Sequence, residues 1–242
     1  MSPSRDEDGR SAEIIGVVPS PDERLDYSRQ LYERAIFTGD SGALAEADRV
    51  LDAVEADLSL ARGRVLHGRF LAQREDEPQL ARADPGELPL FERAAGLYQA
   101  LGDVAGQAAA LFWIGCFHQV AGRDDAAAVP VLERSLQLAG QAGDKATMAE
   151  ALRHLGIAAH RSGQLDVAAR HLEASIQLRR DTGALAGVAS NQVGLIYIAI
   201  AEGRRDDALA LADEALALAE AAGAGTIAAQ VREARSQLPA GE

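Results

Sequence analysis

The run ALFWIGCFHQVAGRDDA, Ala110 to Ala126, holds the chain's only tryptophan (Trp113) and only cysteine (Cys116), with Phe112, Phe117 and His118 beside them. A thiol close to an imidazole is the composition of a cysteine nucleophile or of a metal site. Both chemistries need the two groups on one side of their element, and on a helix residues two apart point about 200° away from each other. His118 is therefore not placed to activate Cys116. A single cysteine also makes neither an intrachain disulfide nor a cysteine-based zinc site. His154 and His160, six apart, stand about 240° around a helix and do not share a metal. Gly223, Gly225 and Ala228 have the spelling of a dinucleotide loop, but they follow a helical pattern and not a strand. Asp124-Asp125 and Asp206-Asp207 open helices, where anions favour the helix dipole. With no nucleophile elbow, phosphate loop or HExxH, the expectation is a protein that is not an enzyme and uses no metal or cofactor. The aromatic run then reads as packing, on a helix whose remaining face can bind.

The elements that position these residues repeat. VLERSLQLAGQAGD (131–144), HLEASIQLRRDTGA (171–184) and LADEALALAEAAGA (211–224) align without a gap at a spacing of 40. Leu138, Leu178 and Leu218 correspond, as do Gly143, Gly183 and Gly223, each glycine following the last turn of a helical pattern. Upstream of each lies a second helical pattern with an interior glycine, Gly115, Gly156 or Gly194. An interior glycine costs a helix about 1 kcal/mol against alanine, so its recurrence predicts close helix-to-helix approach. Gly122, Gly163 and Gly203 then centre the turns within each hairpin.

Earlier in the chain, 91–103 matches 132–144 at a spacing of 41 and pairs with 57–74, across an acid- and proline-rich insertion at 75–89 read as a surface loop. A first pair, 25–37 and 43–56, is joined at Thr38-Gly39-Asp40, and 226–238 has no partner and reads as a cap. The organisation is a tail at 1–22, one helical domain over 23–238 and a short C-terminal tail at 239–242. For residues 14–18, IIGVV, two readings stay open: part of a flexible tail, or a plug that docks on the folded body.

Composition agrees with an all-α chain. Alanine and leucine dominate, aromatics are only 4%, and 48% apolar residues suffice for a core. A formal charge of −13 excludes a general nucleic-acid or anionic-membrane binder, which needs a concentrated basic surface. No signal peptide or membrane anchor is legible, and a cytoplasmic protein is expected.

The hairpins resemble tetratricopeptide repeats of the longer, roughly 40-residue class. The first-helix signature falls on Leu111, Ile114, Gly115 and His118, then on Leu152, Leu155, Gly156 and Ala159, then on Ser190, Val193, Gly194 and Tyr197. The small second-helix residues fall on Ala127, Ala168 and Ala208, with Ser135, Ser175 and Ala215 beyond them. The usual tryptophan is absent from its position, the aromatic survives only as Tyr197, and the terminal proline is replaced by glycine. The resemblance implies a right-handed superhelical solenoid of about five hairpins plus a cap, whose first helices line a concave groove that binds a protein or peptide segment.

On that alignment the groove face carries Phe112, Cys116 and Gln119 in the third hairpin, Arg153, Ile157 and His160 in the fourth, and Asn191, Leu195 and Ile198 in the fifth. None is acidic, and the mixture of apolar, amide and cationic groups suits a peptide or a small ligand. Leu111, Ile114 and His118 are expected inside the hairpin, with Trp113 and Phe117 against the neighbouring repeat. Residues 1–56 and 187–223 are acidic, whereas 57–74 carries Arg62, Arg64, Arg69 and Arg74 against one aspartate. A cationic strip that captures an acidic segment is one reading, and solvated arginines paired with nearby acids is the other. The family's carboxylate clamp is disfavoured, because Lys145 is the only lysine and Asn191 matches one clamp site by type alone. The leading expectation is an adaptor for a protein segment. The alternative is a sensor for a small molecule or signalling peptide.

Overall fold

The computed structural model describes residues 22–238. Of the tail expected at 1–22, Asp22 caps the first helix and residues 1–21, including the plug reading of 14–18, lie outside the described residues, as does the tail at 239–242. Ten helices and no strand occur among them: α1 (Glu23–Thr38), α2 (Gly42–Asp76), α3 (Glu87–Leu101), α4 (Val104–Val120), α5 (Asp125–Ala142), α6 (Lys145–Arg161), α7 (Leu165–Asp181), α8 (Leu185–Ala201), α9 (Arg205–Ala221) and α10 (Gly225–Ser236). The chain divides into two compact units, one ending at Leu51 and the other beginning at Asp52. In the first, α1 packs through Leu31 and Ala35 on Ala43 and Ala47 of α2. The second is an all-α solenoid, each helix packed on its neighbours in sequence: α4 on α5, α6 on α7, α8 on α9, with α10 across α8 and α9.

The helix ends follow from local chemistry. Asp103, Asp124 and Asp144 accept hydrogen bonds from first-turn amides, satisfying donors that a helix leaves unpaired at its start. Gly102, Gly143, Gly183 and Gly223 all take positive φ after the last turn, the backbone region that a side chain disfavours. The turn expected at Gly122 is built differently. Its positive φ falls on Arg123, at 54°, while Gly122 is needed for a close approach: a Cβ there would lie 2.8 Å from the carbonyl oxygen of His118.

Two expected boundaries move. Residues 43–56 and 57–74 form one helix, α2, since no glycine, proline or capping residue separates Ala56 from Asp57. The 75–89 insertion is shorter than its composition suggests: α2 runs to Asp76, α3 begins at Glu87, and Glu87 itself is fully buried.

The interior glycines do bring helices together. A Cβ on Gly115 would lie 2.6 Å from Leu132 of α5, and one on Gly156 would lie 3.0 Å from Leu172 of α7. The backbone partners are the carbonyl oxygens of Ala128 and Ala168, so Ala128, and not Ala127, is the small crossing residue of α5. Beside each crossing a buried serine ties the pair: Ser135 donates to the Ala108 carbonyl at 2.7 Å, and Ser175 to the Ala149 carbonyl at 2.6 Å.

The third crossing is inverted. Two extra residues between Gly194 and Gly203 rotate the glycine about 200° around α8. Gly194 therefore faces Leu172 of the preceding α7, 2.7 Å from a built Cβ, and not α9. The place of the glycine is taken by Ile196, and the place of the leucine by Ala212, both fully buried in one cluster. Large and small have exchanged sides at constant fit.

A candidate cationic cavity between α2, α4 and α6

The opening aromatic run lies on α4 and divides between two surfaces. Ile114 packs with Leu97, Tyr98 and Phe91 of α3, joined by Leu111 and Trp113. Trp113 stacks on Phe91 with centroids 5.6 Å apart, which places it against the preceding repeat unit as its flank position on the helix suggested. Phe112 and Cys116, one turn apart, face the other way with Arg153 of α6. They line a cavity of about 480 Å³ between α2, α4 and α6.

At the inner wall of this cavity runs a chain of buried polar groups. Glu87 accepts from Nδ1 of His67 at 2.7 Å. Nε2 of His67 lies 3.7 Å from the Cys116 sulfur, and Nε2 of His154 lies 4.0 Å from it on another helix. Nδ1 of His154 meets Oε1 of Gln119 at 2.6 Å, while Nε2 of Gln119 donates to the His154 carbonyl and to Asp125, both at 3.0 Å. Since the Gln119 amide nitrogen is committed as a donor, its oxygen must accept, and His154 carries its proton on Nδ1. Burial, then the Arg153 charge, lowers the His154 pKa to about 3, so this imidazole is neutral.

The same burial pushes the Cys116 thiol up to about 12. A thiol held protonated between two imidazoles is a weak hydrogen-bond donor and not a nucleophile. Burial also raises the pKa of Glu87, against the lowering effect of His67. Among the described residues no group of three His, Cys, Asp or Glu side chains is placed to hold a metal ion.

The outer wall is cationic. Arg64 lies over the Trp113 ring at 5.5 Å and Arg74 over the Phe70 ring at 5.8 Å, so aromatic faces and not carboxylates hold them in place. Arg153 is half-buried, and burial is the first cause lowering its pKa. The one carboxylate among the residues that line the cavity directly, Glu150, is already bound by the buried Arg179 of α7 at 2.9 Å, while Glu87 lies behind His67. Gly187 of α8 leaves the room for that guanidinium, because a Cβ there would stand 1.9 Å from it. Three arginines, a phenylalanine and a tryptophan thus surround one concavity, in a chain whose net charge is −13.

The remaining expected groove residues fall elsewhere. Gln119 is enclosed as part of the wall just described. Ile157 and His160 border a separate cavity of about 160 Å³ with Leu172 and Tyr197. Asn191 and Ile198 are fully buried between helices, and Leu195 packs with Ile198 on the cluster around Leu172. The two-residue displacement in α8 explains this: Val193 and Tyr197, and not Asn191 and Leu195, line a cavity of about 530 Å³ that also touches Glu75 and α10. His67 and Glu87 were not legible from sequence, being 20 residues apart on either side of the insertion with no motif linking them.

No helix among the described residues is long and apolar enough to cross a membrane. No family model matches the chain. No curated protein matches it either.

Proposed function

We propose that this chain is a non-catalytic, tetratricopeptide-like adaptor of the cytoplasm whose cavity between α2, α4 and α6 receives an acidic, partly apolar segment of a protein or peptide. The observation that carries the reading is the set of arginines. Arg64, Arg74 and Arg153 converge on one concavity and, among the described residues, have no carboxylate within ion-pair distance, although the chain is rich in acid. A planar guanidinium over an aromatic ring keeps its edge free for a carboxylate, which it grips through two parallel hydrogen bonds. Phe112, Trp113, Leu71 and Val120 supply the apolar floor for a side chain next to that carboxylate.

Trp113 is the only tryptophan and lines the cavity, so its emission is a built-in reporter. Titration with synthetic acidic-amphipathic peptides is expected to shift that emission with an affinity that falls as salt rises. Arg74→Gln with Arg153→Gln is expected to weaken binding at least tenfold at unchanged melting temperature. Peptide binding that is indifferent to both substitutions sinks the proposal.

A second reading, a small organic anion as ligand, is favoured by the cavity's size. About 480 Å³ lies within the range of small-molecule sites. A melting-temperature rise with small carboxylates or phosphate esters, together with no peptide response, selects it.

A further inference from the structure

Beyond Arg74 the cationic cavity continues into a second concavity, of about 590 Å³, against the loop that joins α2 to α3. Arg74 lines both spaces, and the walls run on at either side of it: Leu71 and Val120 belong to the first, Phe70 and Ala121 to the second. The second space adds two arginines, Arg82 from the loop and Arg123 from the turn between α4 and α5, and none of the described residues that line it is acidic. Arg123 is held there against local preference. It is the one non-glycine residue with positive φ among the described residues, at 54°, whereas the turns after α6 and α8 place glycine in that region, Gly163 at 77° and Gly203 at 72°. A side chain there crowds its own backbone, so glycine is what the turn by itself favours. Among the described residues the Arg123 guanidinium makes no hydrogen bond, ion pair or ring contact that would compensate. Strain kept without an internal return marks a side chain with work outside the chain.

Arg82 is fixed by its own loop. Its Nη1 donates to the carbonyls of Ala81 at 2.8 Å and Gln79 at 3.2 Å, which leaves Nε and Nη2 as donors without a partner among the described residues. Oε1 of Gln73 accepts from the Arg82 amide at 3.4 Å and ties the loop to the end of α2. The acids nearest in sequence are engaged elsewhere, Asp84 with the Gly86 amide and Asp124 with the Ala127 amide. Three guanidiniums from three elements thus border one space whose other walls are alanines, Gln79, Pro78 and a Phe70 ring that Arg74 overlies. A carboxylate, with one charge and two oxygens, engages one guanidinium fully. A phosphate monoester brings nearly two charges and three acceptor oxygens, enough for all three arginines.

We infer that the second concavity takes a phosphorylated serine or threonine of the same acidic segment, with Arg74 shared between the phosphoryl group and the neighbouring carboxylate, a placement that rests on the adaptor reading proposed above. The test uses the full-length chain, Trp113 emission as the readout and acidic-amphipathic peptides in which a single phosphoserine is moved through every position. At one position or two adjacent ones, phosphorylation is expected to tighten binding at least tenfold. That gain is expected to shrink as pH falls through about 6, where a phosphate monoester takes up its second proton. Arg82→Gln with Arg123→Gly is expected to abolish the gain and to leave the affinity for the unphosphorylated peptide unchanged. The same variant is expected to melt no lower than the wild type, because glycine relieves the turn. A gain that survives both substitutions overturns the inference. Unphosphorylated peptides that bind and gain nothing from phosphorylation at any position overturn it too, and leave the adaptor reading standing. Silence toward every peptide fails the adaptor reading itself and this placement with it. Single-stranded DNA that competes as strongly as the phosphopeptide shows an unselective polyanion surface and also overturns the inference.

Discussion

Cys116 and His154 show how far residue-level reading reaches. Sequence spacing was enough to discard the Cys116–His118 pair. It could not foresee that His67 and His154, 49 and 38 residues away, would close on the sulfur instead, because each comes from another helix of the stack. The buried imidazole carries a pH consequence. The His154 pKa is lowered from 6.5 to about 3, so between those values the unfolded chain binds a proton that the folded chain refuses. Stability therefore falls as pH drops through that window, by roughly 1.4 kcal/mol per pH unit at most. His154→Asn retains a donor toward Gln119 without a titrating ring. Its urea midpoint between pH 4 and pH 6.5 is expected to vary less than that of the wild type. Glu87 works in the opposite sense. Its pKa is raised by burial, so the cost of its charge is absent at low pH and appears as pH rises through the folded value. Glu87→Gln keeps an acceptor for His67 and is expected to raise the melting temperature by about 2–4 °C at pH 8, with the gain vanishing near pH 4.

At the level of elements most of the fold was written in the sequence, since caps and interior glycines act locally and recur. The fused α2 was missed because a repeat pattern suggests a break where the residues themselves supply no stop. The displaced groove face of α8 was missed for a related reason. The longer Gly194–Gly203 spacing is present in the sequence, but an alignment anchored on Gly194 hides the rotation that it gives to Asn191, Leu195 and Ile198. Glycines offer a direct test of the packing account. Gly115→Ala must push against the fully buried Leu132 and is expected to destabilise by about 1–3 kcal/mol. Gly140, exposed on α5 with nothing within 4 Å of a built Cβ, should respond oppositely. Gly140→Ala is expected to stabilise by up to about 1 kcal/mol, read from urea denaturation of the two variants side by side.

For the Asp52–Leu238 unit as a whole, contacts run mainly between neighbouring helices, so stability is approximately a sum over adjacent joints and the terminal helix must act as a cap. Ala228, Val231 and Ala234 of α10 close the alanine-lined cluster that includes Ala212, Ala215 and Ala219 of α9. Truncation after Gly223 is expected to expose that face, lower the melting temperature and promote aggregation in light scattering. If the truncated chain melts as the full one does, α10 is not the cap. The inverted crossing also bears on how such an array could have been assembled. A duplicated α6–α7 brings its own glycine and its own leucine to each new joint, so copies of it can be spliced in series. The α8–α9 hairpin offers a different joint. It accepts Leu172 from behind through Gly194 but presents only Ala212 ahead, where the earlier hairpins present a leucine. A unit added after α9 would meet Ala212 where a unit added upstream meets a leucine, so the two ends of the array are not equivalent sites for growth.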